Sequence, residues 1–150
     1  MPFSSIDTWV FDLDDTLYPA SSNFFPQIAE RMGLYVAEAL DLPLVEAKKE
    51  QRRLFLEYGT TLSGLVAERG IEVDAYAHFL MQVDYGRIPH SPDLVEAVKQ
   101  LPGRVLIFTN GFKEHAEACL DQLGFARDDF EAIADIRTID FKPKPRPIAF

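Results

Sequence analysis

The chain has 150 residues, 47% of them apolar, with 24 acidic against 15 basic side chains and a formal charge of −9. That length and apolar content fit one globular domain carrying at most a smaller insert and argue against intrinsic disorder; the acidic balance argues against a nucleic-acid polymer as partner. The single cysteine, Cys119, excludes an intrachain disulfide and a cysteine-rich zinc site. No apolar run approaches the ~20 residues of a membrane span and the N-terminus lacks the pattern of a signal peptide, so a cytoplasmic protein with no membrane partner is expected.

Thr8-Trp9-Val10-Phe11 is a short apolar run without alternation, which predicts a strand buried on both faces, as in a parallel sheet. It ends in Asp12-Leu13-Asp14-Asp15-Thr16, and open α/β sheets hold their ligands at such strand ends. From Asn23 to Leu40, apolar residues at Phe24, Ile28, Met32, Tyr35 and Ala39 make a helical stripe. Leu42-Pro43 restarts a helix to about Tyr58, where Gly59 stops it. Thr60 and Thr61 cap a third helix that ends near Gly70, and a fourth spans about 74–83. No strand signal lies between about 20 and 90, so this stretch reads as an all-helical insert.

Ser91-Pro92 then opens a helix to about Leu101, with Ser91 as its cap, and Pro102-Gly103 breaks it. Arg104-Val105-Leu106-Ile107-Phe108 is a second buried strand, ending in Thr109-Asn110-Gly111. A helix from Lys113 to Leu123 closes at Gly124. A short strand near 132–136 is followed by Lys142-Pro143-Lys144-Pro145-Arg146-Pro147. Strand and helix alternate outside the insert, which predicts an α/β fold with a parallel sheet and right-handed crossovers.

Three polar clusters thus follow three predicted strands: Asp12/Asp14/Asp15/Thr16, Thr109/Asn110/Gly111 and Lys142/Lys144. In a parallel sheet they converge on one edge. The set suits phosphoryl transfer. One carboxylate can attack phosphorus, and a second, two residues on, can protonate the leaving oxygen and later deprotonate water. Hydroxyl, amide and backbone N–H groups can hold the non-bridging oxygens, and a lysine can neutralise developing charge. An ionised carboxylate repels a phosphate dianion, so a divalent cation is expected between them, and oxygen ligands favour Mg²⁺.

The runs FDLDDTLYP (11–19), TNG (109–111) and KPRPIAF (144–150), in this order and spacing, resemble the first three motifs of the haloacid dehalogenase-like hydrolase superfamily. That resemblance implies a Rossmann-like sheet core, residues 1–19 and 91–150, with an inserted α-helical cap, residues 20–90. It implies that Asp12 is the nucleophile that becomes an aspartyl phosphate. Asp14 would be the general acid/base, its backbone carbonyl joining Asp12 as a Mg²⁺ ligand. Thr109, Asn110 and Gly111 would bind phosphate, and Lys144 would be the site lysine, with Lys142 its competitor. An acid at position 14 points to phosphatases rather than dehalogenases. The aromatic-rich helix at Phe24 and Phe25 and the segment EYGTTLSGL (57–65) are similar to pyrimidine 5′-nucleotidase-type phosphatases. The substrate implied is a nucleoside 5′-monophosphate or another small phosphate ester; sugar-phosphate phosphatases and phosphomutases share the scaffold.

Other residues carry plainer readings. Asp15 is a turn residue. Phe24, Phe25 and Tyr58 are cap-core aromatics or base-stacking groups, and Thr60 and Thr61 are helix caps or substrate ligands. The pairs Lys48/Arg52 and Lys49/Arg53 make a solvated helix face or a phosphate-attracting rim. His78, His90 and His115 have no mutual ligand spacing and read as structural or surface residues; Cys119 reads as buried. The superfamily's fourth motif, an acid pair, has no counterpart after Lys144. The sequence therefore reads as a core cut short at its C-terminal end. Such a fragment would have little phosphatase activity, and its open, apolar sheet edge would invite self-association.

Overall fold

The structure, a computed structural model, describes residue 3 and residues 5–149, residue 148 by its backbone alone. Phe150, which ends the third motif, and positions 1, 2 and 4 of the expected core lie outside the described residues. The chain divides into two compact units. One comprises Met1–Phe24 and Tyr85–Arg137, the other Phe25–Asp84 and Thr138–Phe150.

The first unit is α/β. Its three parallel strands, β1 (Thr8–Phe11), β2 (Arg104–Phe108) and β3 (Ala132–Ala134), lie in the order β1-β2-β3. Thr8 is in register with Arg104 and Phe11 with Ile107; Leu106 faces Ala132 and Phe108 faces Ala134. β2 is central, and its Val105 and Ile107 are buried. β1 is not buried on both faces as its apolar run suggested. Among the described residues β2 is its one strand neighbour, and the face from which Val10 projects is open, with Val10 59% exposed.

Among the described residues this unit carries two α-helices, α5 (Pro92–Lys99) and α6 (Lys113–Leu123). α5 begins at Pro92 as expected, but the Ser91 side chain makes no capping bond; the Ser91 main chain instead donates to Leu123 O (3.0 Å) and accepts from Val95 N (3.1 Å). α6 buries His115, Ala116, Cys119, Leu120 and Leu123, one continuous helical stripe. It closes at Gly124, in the left-handed region at φ 100°. Leu13, Leu17, Tyr18, Phe24, Phe112, Phe130 and Ile136 are also part of the core.

The second unit carries the expected helical insert: α1 (Phe25–Leu40), α2 (Leu44–Tyr58), α3 (Thr61–Arg69) and α4 (Val73–Leu80). Gly59 and Gly70 end α2 and α3 with left-handed backbone, and Thr60 caps α3 by accepting from Ser63 N at 3.0 Å. α1 packs on α2 and α4, and α2 on α3, around Ile28, Val36, Leu54, Leu65 and Tyr76. The α2–α3 contact needs Gly64, where a Cβ would come within 2.7 Å of Leu54 Cδ2. In one of the two basic pairs on α2, Lys49 pairs with Glu46 and Arg53 forks between Glu50, Glu57 and Glu68, which favours the solvated-face reading for that pair over a phosphate-attracting rim.

Residues 138–149 group with these helices, although the sequence placed them with the sheet. β3 is only three residues long. A turn with left-handed Asp140 and Phe141 (φ 51° and 56°) follows, and the segment is then fastened by Ser63 Oγ donating to Phe141 O (2.7 Å) and Arg146 Nη2 donating to Glu57 O (3.0 Å). Among the described residues no helix is long and apolar enough to cross a membrane.

Candidate active site

β1 and β2 run parallel as neighbours, so the residues that follow them emerge at the same edge of the sheet. After Phe11 the chain turns sharply. Asp15 takes left-handed backbone (φ 55°), which a short polar side chain tolerates, and Leu13 O accepts from Thr16 N (3.1 Å) and Leu17 N (2.9 Å). The turn separates the two carboxylates by environment. Asp12 is exposed, and its Oδ2 accepts from Thr16 Oγ1 at 3.1 Å. Asp14 is half-buried. Its Oδ1 accepts from the Tyr18 hydroxyl at 2.6 Å and lies 2.8 Å from His115 Nε2.

The Thr109-Asn110-Gly111 loop is fixed from both sides. Thr109 is buried; its N–H donates to Ala134 O (3.0 Å) and its Oγ1 accepts from Gly111 N (2.9 Å). Gly111 O accepts from Ile136 N (3.1 Å). A Cβ on Gly111 would lie 3.3 Å from Thr109 Oγ1, 3.4 Å from His115 Cδ2 and 3.7 Å from Asp14 Oδ2. Asp14, Thr109, Gly111 and His115 therefore surround one small volume, which only a residue without a side chain leaves open. Asn110, half-buried, sits in the same loop.

The lysines are placed differently. At the end of β3, where the sequence put a lysine cluster, stands Asp135. It is buried, and its oxygens accept from Lys113 N (3.0 Å) and Arg137 N (3.1 Å), so it caps the N-terminus of α6 from outside the helix. Lys142 and Lys144 belong to the helical unit; Lys142 pairs with Asp140 at 3.2 Å, and Lys144 is half-buried.

The sequence assigned no site role to His115, Tyr18 or Tyr85. His115, read as a structural or surface residue, is buried. Its ring stacks on Phe24 (centroids 5.9 Å apart, 9° between planes), and its Nδ1 lies 3.0 Å from the Tyr85 hydroxyl. Tyr18 meets Phe24 edge-on at 5.5 Å. Burial, reinforced by the nearby Asp14 charge, pushes the Tyr18 phenol well above the tyrosine range, and burial does the same at Tyr85. Both hydroxyls thus keep their protons, and Tyr18 donates to Asp14. A histidine on the buried stripe of α6, just past a polar strand end, is the sequence signal for this arrangement, since a buried imidazole requires polar partners.

Two donor sets bear on metal binding. The Asp12 carboxylate and the Asp14 main-chain carbonyl are hard oxygens at an exposed strand end, chemistry that fits Mg²⁺. Asp14, His115 and Cys119 also bring an oxygen, a nitrogen and a sulfur within 4.8 Å of one another. Burial, with the Asp14 charge, pushes the Cys119 thiol up so that it keeps its proton, and both ring nitrogens of His115 lie within hydrogen-bonding distance of partners. This trio reads as a hydrogen-bonded core rather than a metal site.

A parallel sheet that brings a carboxylate pair and a Thr-Asn-Gly loop to one edge defines an α/β protein working at the carboxyl ends of its strands. The chain belongs to the haloacid dehalogenase-like hydrolases, whose family model matches residues 6–150. Its fold is similar to that of L-2-haloacid dehalogenase from Xanthobacter autotrophicus (TM-score 0.50, 18% identity), the match covering 96% of this chain and 62% of that one. It is also similar to YfnB from Bacillus subtilis, solved bound to magnesium (TM-score 0.49, 23% identity, covering 90% of this chain and 67% of that one). The chain thus spans about six tenths of the dehalogenase's length.

Proposed function

We propose that the full-length protein is a Mg²⁺-dependent phosphomonoesterase that works through an aspartyl phosphate on Asp12, with nucleoside 5′-monophosphates as its substrate class. The observation that carries this reading is the second carboxyl group. Asp14 stands two residues beyond the exposed Asp12, half-buried and fixed by Tyr18 and His115 beside the Thr109–Gly111 loop. Displacement of halide by a carboxylate needs no acid for the leaving group. Expulsion of an alkoxide from phosphorus does.

In the first half-reaction an Asp12 carboxylate oxygen attacks phosphorus, and the bond from phosphorus to the ester oxygen breaks. Asp14 gives its proton to that oxygen, releasing the alcohol. In the second half Asp14 takes a proton from water as the water oxygen attacks phosphorus; the bond to Asp12 breaks, leaving inorganic phosphate and the restored carboxylate. The Thr109 hydroxyl and Asn110 hold the non-bridging oxygens. The Asp12 carboxylate and the Asp14 carbonyl would hold Mg²⁺, whose charge would offset the repulsion between carboxylate and phosphate.

The test is a substrate panel on the full-length protein: uridine and cytidine 5′-monophosphates, sugar phosphates, and a 2-chloro acid. Phosphate release from the monophosphates, lost on chelation with EDTA and restored by added Mg²⁺, is expected, with no halide release. Halide release without phosphate release would overturn the phosphatase reading. Sugar phosphates turned over as well as or better than the nucleotides would overturn the nucleotide assignment and favour a sugar-phosphate phosphatase or phosphomutase.

A further inference from the structure

We propose that His115 is a positioning residue for the acid/base carboxyl. Its Nε2–H, aided by the Tyr18 hydroxyl, clamps Oδ1 of Asp14, so that the catalytic proton passes through Oδ2 alone. The inference rests on the phosphatase reading above. The two donors converge on one oxygen, Tyr18 at 2.6 Å and His115 at 2.8 Å, while the other, Oδ2, faces the Thr109–Gly111 loop. A carboxyl whose Oδ1 accepts from two fixed donors cannot carry its proton there without losing one of them. Oδ2, on the loop side, is therefore the oxygen left to exchange a proton with substrate and water.

The same geometry selects the imidazole tautomer. Oδ1 of Asp14 is an acceptor, so the ring nitrogen that faces it, Nε2, carries the hydrogen, and Nδ1 is left to accept from the Tyr85 hydroxyl 3.0 Å away. The ring plane is held by Phe24, stacked at 5.9 Å, and by burial against Cys119, whose Sγ lies 3.6 Å from Nε2. A chain of donors thus runs Tyr85, His115, Asp14, with Tyr18 closing it from the other side. In the first half-reaction Oδ2 gives its proton to the departing ester oxygen, and in the second it takes one from water, while the bonds at Oδ1 stay in place throughout.

Phenyl phosphate and 4-nitrophenyl phosphate test this. They have nearly the same shape, but the nitrophenoxide leaves readily without a proton and the phenoxide does not. In the full-length protein, His115→Ala is expected to lower kcat/KM for phenyl phosphate about 10- to 100-fold, the loss of a hydrogen bond to a charged group, and for 4-nitrophenyl phosphate by no more than about threefold. The ratio of the two constants does not depend on how much of a variant folds. His115→Gln, which returns an N–H near the place of Nε2, should restore most of the ratio, and Tyr85→Phe should shift it in the same direction as His115→Ala but less. An equal loss on both esters, or His115→Gln no better than His115→Ala, would overturn the positioning role while leaving the phosphatase reading intact. Wild-type protein that hydrolyses neither ester, or Asp12→Asn that hydrolyses both normally, would sink the phosphatase reading and this inference with it.

Discussion

Asp12→Asn is expected to lower phosphomonoester turnover by the full-length protein by about a thousandfold or more, with little change in stability. An amide has neither the charge nor the nucleophilic oxygen that forms the bond to phosphorus, so the covalent half-reaction is lost and only binding and orientation remain. Asp12 is exposed, and its Oδ2 accepts from Thr16 Oγ1, a bond that an amide oxygen can also accept. The unfolding free energy should therefore move by no more than about 0.5 kcal/mol. Steady-state kinetics on 4-nitrophenyl phosphate, alongside thermal unfolding of the same preparation, checks both halves. Turnover within tenfold of wild type would remove Asp12 from the role of nucleophile.

The largest stability effect is expected at Gly103. The strand pair β1–β2 begins with Arg104 N donating to Asp7 O at 2.8 Å, and Trp9 Nε1 donates to Pro102 O at 2.8 Å. These bonds draw the 102–104 turn onto the start of β1. Gly103 itself is left-handed (φ 86°), and a Cβ there would collide with the Asp7 carbonyl oxygen and carbon. Both the backbone conformation and the space therefore demand glycine. Gly103→Ala should cost about 2–4 kcal/mol and lower Tm by roughly 5–15 °C. Gly70 supplies the control: it is also left-handed (φ 59°), but a Cβ there meets nothing within 4 Å. Gly70→Ala should cost only about 1 kcal/mol, the conformational part alone. Equal losses at the two glycines would show that the crowding at Asp7 is unimportant.

Much of this molecule was legible in local patterns. The apolar runs at 8–11 and 104–108 gave the two longer strands, and the glycines at 59, 70 and 124 ended helices where expected, because left-handed C-caps are a local demand that glycine meets. The strand-end Asp12-x-Asp14 and Thr109-Asn110-Gly111 clusters were readable for the same reason. What escaped depended on contacts distant in sequence. β1 reads as fully buried from its composition, but its exposure depends on what covers each of its faces. The 138–149 segment reads as the continuation of a strand–helix alternation. Its placement is decided by left-handed Asp140 and Phe141 and by bonds to Ser63 and Glu57, none of which has a sequence signature. The contact between His115 and Asp14 spans 101 positions, and nothing in its spacing announces a partner; only the burial of a polar ring on the apolar face of α6 hinted at one.

The most direct measurement is to trap the covalent intermediate. The full-length protein is mixed with a ³²P-labelled phosphomonoester, quenched in acid during turnover, digested and mapped by mass spectrometry. The account predicts labelled phosphate on the peptide carrying Asp12, released by hydroxylamine as an acyl phosphate should be, and absent from Asp12→Asn. Turnover of the ester with the label on another side chain, or with none of the protein labelled under conditions where the step after phosphorylation limits the rate, would contradict it.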